Sequence, residues 1–216
     1  MKLSELIPNP ERLRARAVRK EDPQPTKANL RNMAASLLDL GYSKINPEVF
    51  GVICSYGALL MDGTAERGLF LKGECGIGKS YGVECLGYLF NFPVLKPEDF
   101  AADFKNCNGN LGELEKNVTN GYDFYEKPHT VIIDEIGSQD TVRNFGETSD
   151  IMATVLDMRY RAYLKYGVLT IVTTNLTDRD ITARYGLRIE DRIAEMFYVR
   201  RVTGISLRKN PVKPSK

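Results

Sequence analysis

An ammonium, a hydroxyl and three glycines fall within eight positions in Gly73-Glu74-Cys75-Gly76-Ile77-Gly78-Lys79-Ser80. The order matches the Walker A pattern at every fixed position. Glycines there let successive backbone N–H groups turn inward around a phosphate, with a helix N-terminus behind them. Lys79 then reaches the outer phosphates, and Ser80 offers its hydroxyl to Mg2+. A second group closes the run Thr130-Val131-Ile132-Ile133-Asp134-Glu135, where an apolar stretch ends in adjacent carboxylates. Asp134 would hold Mg2+, usually through water, and Glu135 would orient or deprotonate an attacking water. A third is Asn175, which ends the run Val168–Thr174 and carries an amide able to help place that water. Together they point to attack of water on the γ-phosphoryl group of ATP.

These groups need a scaffold that brings distant positions to one edge. Gly68–Lys72 reads as a short buried strand and Lys79 to about Phe90 as a helix, which is the setting the glycine loop requires. Thr130–Glu135 reads as a central parallel strand buried on both faces, and Val168–Thr174 as another. Open α/β sheets bind ligands at the carboxyl ends of their strands, where Asp134, Glu135 and Asn175 would stand. His129 begins its strand and so belongs to the opposite edge.

The remaining elements follow from apolar spacing and punctuation. Helices are expected over Thr26–Leu40, after Asn46-Pro47, over Lys96–Cys107, over Leu111–Val118 and over Ser149–Tyr163. The polar side of the last carries Arg159 and Arg161. Met61–Thr64 reads as a turn, Phe92–Leu95 as a strand and 136–148 as a polar loop. Thr177-Asp178-Arg179-Asp180 is a capping-box sequence that opens a short helix closed at Tyr185-Gly186. The helix after it carries Arg188 and Arg192, four apart on one face. They could pair within their own chain or project across a subunit boundary to a neighbour's γ-phosphate. Phe197–Val202 reads as a last strand.

The chain has 216 residues, 43% hydrophobic and 27% charged, with a formal charge of +2. This describes a globular protein rather than a strongly basic nucleic-acid binder. There is no signal-peptide pattern and no stretch apolar enough to span a bilayer, so a cytoplasmic protein with no membrane association is expected. Cys54, Cys75, Cys85 and Cys107 are widely spaced and read as reduced thiols, without the pairing of a zinc site. Residues 1–25, with prolines and the basic run within 11–20, read as an arm. That run could meet DNA phosphates, bind a partner or be a solvated surface. Residues 203–216 read as an extended basic tail.

On these residues the sequence resembles AAA+ ATPases, and more narrowly the bacterial and phage replicative-helicase loaders together with the IstB-like transposition-helper ATPases. The resemblance covers about residues 45–208. It is carried by Gly73–Ser80, by Ile133-Asp134-Glu135-Ile136-Gly137 and by Thr173-Thr174-Asn175-Leu176. Two further blocks, Tyr185-Gly186-Leu187-Arg188-Ile189-Glu190-Asp191-Arg192-Ile193 and Gly204-Ile205-Ser206-Leu207-Arg208, separate this clade from other P-loop proteins. It implies an α/β P-loop NTPase fold, a three-layer αβα sandwich with a central parallel five-stranded sheet and a helical lid reduced or absent. It also implies ATP and Mg2+ as cofactors. Gly73, Glu74, Cys75, Gly76, Ile77, Gly78, Lys79 and Ser80 would hold the nucleotide, and Ser80 and Asp134 the metal.

By the same resemblance Glu135, Lys79 and Asn175 are catalytic. Arg192 matches the arginine finger, Arg188 is its neighbour, and Arg208 is the basic residue that senses nucleotide. Single-stranded DNA is expected near Lys96 and Lys105. The chain would divide into a partner-binding segment (1–44), an ATPase core (45–208) and a basic tail (209–216). The implied function is loading of a hexameric replicative helicase onto single-stranded DNA by an open ring or helical oligomer, with slow hydrolysis at subunit interfaces. The alternative is a helper that binds DNA and recruits or activates a transposase. A nucleotide kinase would share the loop but needs an acceptor pocket, and Asp134-Glu135 with Asn175 favours water. A non-hydrolysing helicase regulator would not require an intact Lys79, Asp134 and Glu135.

Overall fold

Caps and breakers set most element boundaries in the computed structural model, which describes residues 22–41, 46–121, 127–137, 141–144 and 147–207. Helix α1 (Lys27–Asp39) starts where the Thr26 hydroxyl accepts the Asn29 N–H at 3.2 Å. Helix α2 (Pro47–Asp62) starts at Asn46, whose side-chain oxygen accepts the N–H groups of Glu48 and Val49 at 2.8 and 3.4 Å. It runs through Met61 and Asp62, so the turn expected there is only its cap, with Gly63 at φ 65°. Strand β1 (Gly68–Gly73) leads through the glycine loop into α3 (Lys79–Phe90), as the sequence indicates.

Strand β2 is shorter than expected, Val94–Leu95 alone. Helices α4 (Pro97–Asn106) and α5 (Leu111–Asn120) follow, then strand β3 (Val131–Ile136). The polar loop expected at 136–148 instead contains an antiparallel pair, β4 (Thr141–Asn144) and β5 (Glu147–Asp150). Its register sets Thr141 opposite Asp150 and Asn144 opposite Glu147. Helix α6 (Ile151–Tyr166), strand β6 (Thr170–Thr174), helices α7 (Asp178–Tyr185) and α8 (Leu187–Met196) and strand β7 (Phe197–Val202) complete the order.

The main sheet has five strands in the order β2-β3-β6-β1-β7, with every pairing parallel. Alternate side chains feed opposite layers. Leu69 and Leu71 of β1 pack with α1, α2 and α3, while Phe70 packs with α4 to α8. The architecture is an αβα sandwich around a parallel sheet. Helix α1 belongs to this body, since Met33 and Leu37 are buried in the α2–α3 layer. Burial of each stabilises by roughly 1.5–3 kcal/mol.

One expectation is overturned within α6. Arg161 lies on the solvent side and pairs with Glu115 at 3.0 Å, but Arg159 is fully buried. Its five N–H groups donate to Thr170 Oγ1 and to the carbonyls of Val118, Thr119, His129 and Leu169, at 2.6–3.1 Å. Helical periodicity counts arginine as outward; carbonyls converging from α5 and from the starts of β3 and β6 draw it inward. Burial lowers its pKa to about 9, so it stays protonated at neutral pH.

The four cysteines are free, and three of them are buried. Among the described residues no helix is long and apolar enough to cross a membrane. Residues 1–21 of the arm expected over 1–25, the tail over 209–216 and Arg208 lie outside the described residues.

Candidate functional site

The carboxyl edge of the sheet collects three loops. The first leaves β1. Gly76 and Gly78 stand at φ 78° and 97°, the left-handed region that favours glycine, and the chain turns tightly before α3. Lys79 is the first residue of α3 and is buried. Its ammonium donates to the carbonyls of Gly73 and Glu74 and to Asn175 Oδ1, each at 2.7 Å. Ser80 follows in the first helical turn.

The second loop leaves β3, and its geometry explains how neighbouring carboxylates share one edge. Ile133 pairs with Val172 and Ile136 with Thr174, so Asp134 and Glu135 together oppose the single residue Thr173. This two-against-one arrangement is a bulge, and Glu135 adopts φ 60° to make it. A non-glycine residue held there is sparsely populated backbone, which clusters at functional sites. Thr173 fastens both sides of the bulge. Its hydroxyl donates to Asp134 Oδ1 and accepts the Glu135 N–H at 2.9 Å. Asp134 is buried; Glu135 is partly exposed.

The third loop leaves β6. The amide nitrogen of Asn175 lies 3.1 Å from Cys75 Sγ, so its side chain bridges the glycine loop and Lys79. The sequence placed this amide beside the carboxylates; the structure places it on the ammonium. Two further contacts brace the edge. The Thr174 hydroxyl donates to the Ile136 carbonyl at 2.8 Å, and Lys72 near the end of β1 pairs with Asp178 at the start of α7. Thr173, Arg184 and Lys72 were not assigned site roles from sequence. Arg184 donates to the Gly137 carbonyl at 2.8 Å. For Thr173 the usable signal was its place two residues before Asn175; for the other two only the fold supplies one.

The arginines gather elsewhere. Met196 ends α8 and Phe197 opens β7 opposite Gly68, at the amino edge. Helix α8 therefore descends from the carboxyl edge, and Arg188 lies about 6 Å nearer that edge than Arg192. Arg192 is ion-paired with Asp157 of α6, and its guanidinium lies 4.7 Å from the Tyr160 ring centroid. Arg188 approaches the same carboxylate at 3.5 Å, with its side chain 75% exposed. Lys96, after β2, is exposed at the carboxyl edge, and Lys105 is exposed in the last turn of α4. The chain after β7 returns to the glycine loop, where the Leu207 N–H donates to the Gly76 carbonyl at 2.7 Å.

No protein-family model and no curated protein matches this chain. Solved structures do. The structure of DnaI is similar with a TM-score of 0.54 at 17% identity, over 79% of this chain and 93% of that one. A DNA replication initiation factor is similar at 0.55 and 12% identity, over 74% of this chain and 48% of that one. Domain III of the Thermotoga maritima replication initiation protein DnaA gives 0.52 and 14%, over 84% and 69%. The chain thus shares its fold with these proteins. At these identities the likeness is one of fold, and it does not extend to IstB-like helpers in particular.

Proposed function

We propose that the chain is a Mg2+-dependent ATPase of the helicase-loader type, which delivers a hexameric replicative helicase to single-stranded DNA. The observation that supports it most is the bulge at Asp134-Glu135, which turns two carboxylates onto the edge that also carries Lys79 and Asn175. The residues fit a nucleoside triphosphate with a divalent cation. Left-handed glycines form an anion cradle, an ammonium sits on exchangeable carbonyl partners, and a buried carboxylate is held by a neutral hydroxyl.

In this reading the N–H groups of Gly73–Ser80 bind phosphate oxygens, and Lys79 exchanges a carbonyl for one of them. Ser80 and Asp134 hold the cation, which when bound neutralises charge between the outer phosphates. Glu135 takes a proton from the attacking water, and Asn175 orients that water when it leaves Lys79. Arg192 serves a neighbouring copy after exchanging Asp157 for that copy's γ-phosphate, with Arg188 beside it. Copies associate as an open ring or helical oligomer. Arg208 senses the nucleotide, Lys96 and Lys105 face single-stranded DNA, and residues 1–44 take the partner.

The test is co-purification of the full chain, with ATP and Mg2+, against replicative helicases, beside a copy that begins at Asp22. A cut at residue 44 would remove Met33 and Leu37 from the core and confuse lost partner binding with lost folding. The expected outcome is ATP-dependent capture of a helicase hexamer. Capture of a transposase in its place would overturn the loader assignment in favour of the helper alternative.

A further inference from the structure

The segment after β7 makes contacts that neither the sheet nor the proposed chemistry requires. The Thr203 N–H donates to Glu48 Oε2 at 2.8 Å, and the Thr203 hydroxyl to the same oxygen at 3.2 Å. Asn46 Nδ2 donates to the Thr203 carbonyl at 2.8 Å. The same Asn46 side chain caps α2 through its oxygen, so one amide serves the helix and the returning chain together. Gly204 stands at φ 157°, and a Cβ there would lie 1.7 Å from Asn46 Nδ2. Three residues on, the Leu207 N–H holds the Gly76 carbonyl at 2.7 Å.

Residues Thr203–Leu207 therefore span from the N-terminus of α2 to a left-handed glycine of the phosphate loop. At one end they are fastened by a carboxylate, an amide and a close backbone approach. At the other they hold a carbonyl whose direction is set by the loop's own turn. Five residues reach at most about 17 Å when extended, which bounds how far apart the two anchored ends can move while both stay bonded. A change in loop shape at Gly76 must pull on Leu207 or break its bond. Movement of α2 must pull on Thr203.

We propose that Thr203–Leu207 is a strap that couples the shape of the phosphate loop to the seating of the N-terminus of α2. The coupling to a nucleotide rests on the reading of Gly73–Ser80 as a phosphate site. Coupling is reciprocal. A nucleotide that reshapes the loop shifts the start of α2, and a partner that pulls on the chain entering α2 changes the loop's affinity. The segment that precedes α2 is the one assigned above to partner binding, so the strap supplies a physical route from partner to nucleotide.

The experiment is amide hydrogen exchange on the full chain as wild type, Glu48→Ala, Glu48→Gln and Gly204→Ala. Each is measured alone and with a non-hydrolysable ATP analogue and Mg2+. Glu48→Gln keeps an acceptor for the Thr203 N–H and should behave as wild type. In nucleotide-free protein, Glu48→Ala should speed exchange at Leu207 and at Ile77–Lys79 by about tenfold or more, on the scale of a typical site-to-site coupling. Gly204→Ala should do the same with the Glu48 carboxylate intact, because its Cβ pushes on the Asn46 amide that holds the Thr203 carbonyl. The analogue should slow exchange at Glu48 and Val49 in wild type but not in Glu48→Ala.

Faster exchange at Thr203 with an unchanged loop in both Glu48→Ala and Gly204→Ala would overturn the strap. So would an analogue effect on α2 that survives both substitutions. If the analogue fails to bind wild type, the phosphate-site reading is lost, and the nucleotide-free comparison still decides whether loop and helix are coupled.

Discussion

The two edges of one parallel sheet solve the same problem in opposite ways. Each must satisfy the polar groups that strands expose where they end, and a nearly buried cation does much of this at each. At the amino edge Arg159 spends all five N–H donors on neutral acceptors that belong to the fold. Two of these are carbonyls from the end of α5, where a helix carries negative character. At the carboxyl edge Lys79 makes three bonds to two loop carbonyls and one side-chain amide. The ammonium is a point charge on a flexible stem, and a phosphate oxygen can replace any of those partners. The backbone differs too. Glu135, a non-glycine residue in the left-handed region, bulges the carboxyl edge, whereas the strand pairing at the amino edge is regular. A saturated cation fixes shape; an exchangeable one on unusual backbone is what the proposed phosphate site needs.

Substitutions at the two edges should therefore separate stability from chemistry. The largest effect is expected for Arg159→Met, which leaves buried carbonyls without donors. A loss of about 3–5 kcal/mol is expected in denaturant unfolding, with nucleotide affinity unchanged in whatever remains folded. A loss below about 1 kcal/mol would mean that water or neighbouring N–H groups replace the guanidinium, and the contrast would fail. Glu135→Gln should reverse the pattern. ATP turnover should fall roughly 100-fold or more, while ATP binding and thermal midpoint stay at wild-type values. An unchanged turnover rate would remove Glu135 from the chemistry.

Thr173 tests where the two behaviours meet, because it holds the bulge and is itself fully buried. Thr173→Val removes a donor and an acceptor together. A loss of about 1–3 kcal/mol is expected, with slower turnover as well, and Thr173→Ser should restore both. If Val lowered stability without touching turnover, the bulge would be scaffold alone.

The smallest effect is expected at Asp180, at the start of α7. Hydrogen bonds from the Thr177 hydroxyl and then the Thr177 N–H hold its carboxyl below the usual range. A depressed value in the folded state means that its stabilisation is present above the unfolded carboxylate range, near about pH 4. It is lost as pH falls through the folded value. An NMR titration should show that depression and its reduction in Thr177→Ala, which keeps the backbone N–H but loses the hydroxyl.

Most element boundaries were legible because they are written in local chemistry. Asn46-Pro47, the Thr177–Asp180 box and the glycine loop each name a start or stop without help from the rest of the chain. The carboxylates, Lys79 and Asn175 were legible as a set because residue type and order restrict them. What was not legible depends on partners far away in sequence. Nothing near Arg159 shows that four carbonyls converge on it, and nothing in Asp134-Glu135 shows that both oppose Thr173. The exposure of Arg188 and enclosure of Arg192 arise from Asp157 and Tyr160 on another helix. The pairing of β4 with β5 was hidden because the sequences of both strands are largely polar.

The position of β1 also has a consequence for how the protein is made. This strand carries the glycine loop, yet its neighbours on either side are β6 and β7. Both are synthesised about a hundred residues later or more, as the pairings Leu69–Ile171 and Gly68–Phe197 show. A nascent chain that has emerged only as far as α6 holds the complete loop sequence but neither strand that steadies it. Such long-range parallel pairing is slow to form. The strand that reaches the tunnel exit early waits for the last one, so a steadied glycine loop belongs to the end of synthesis.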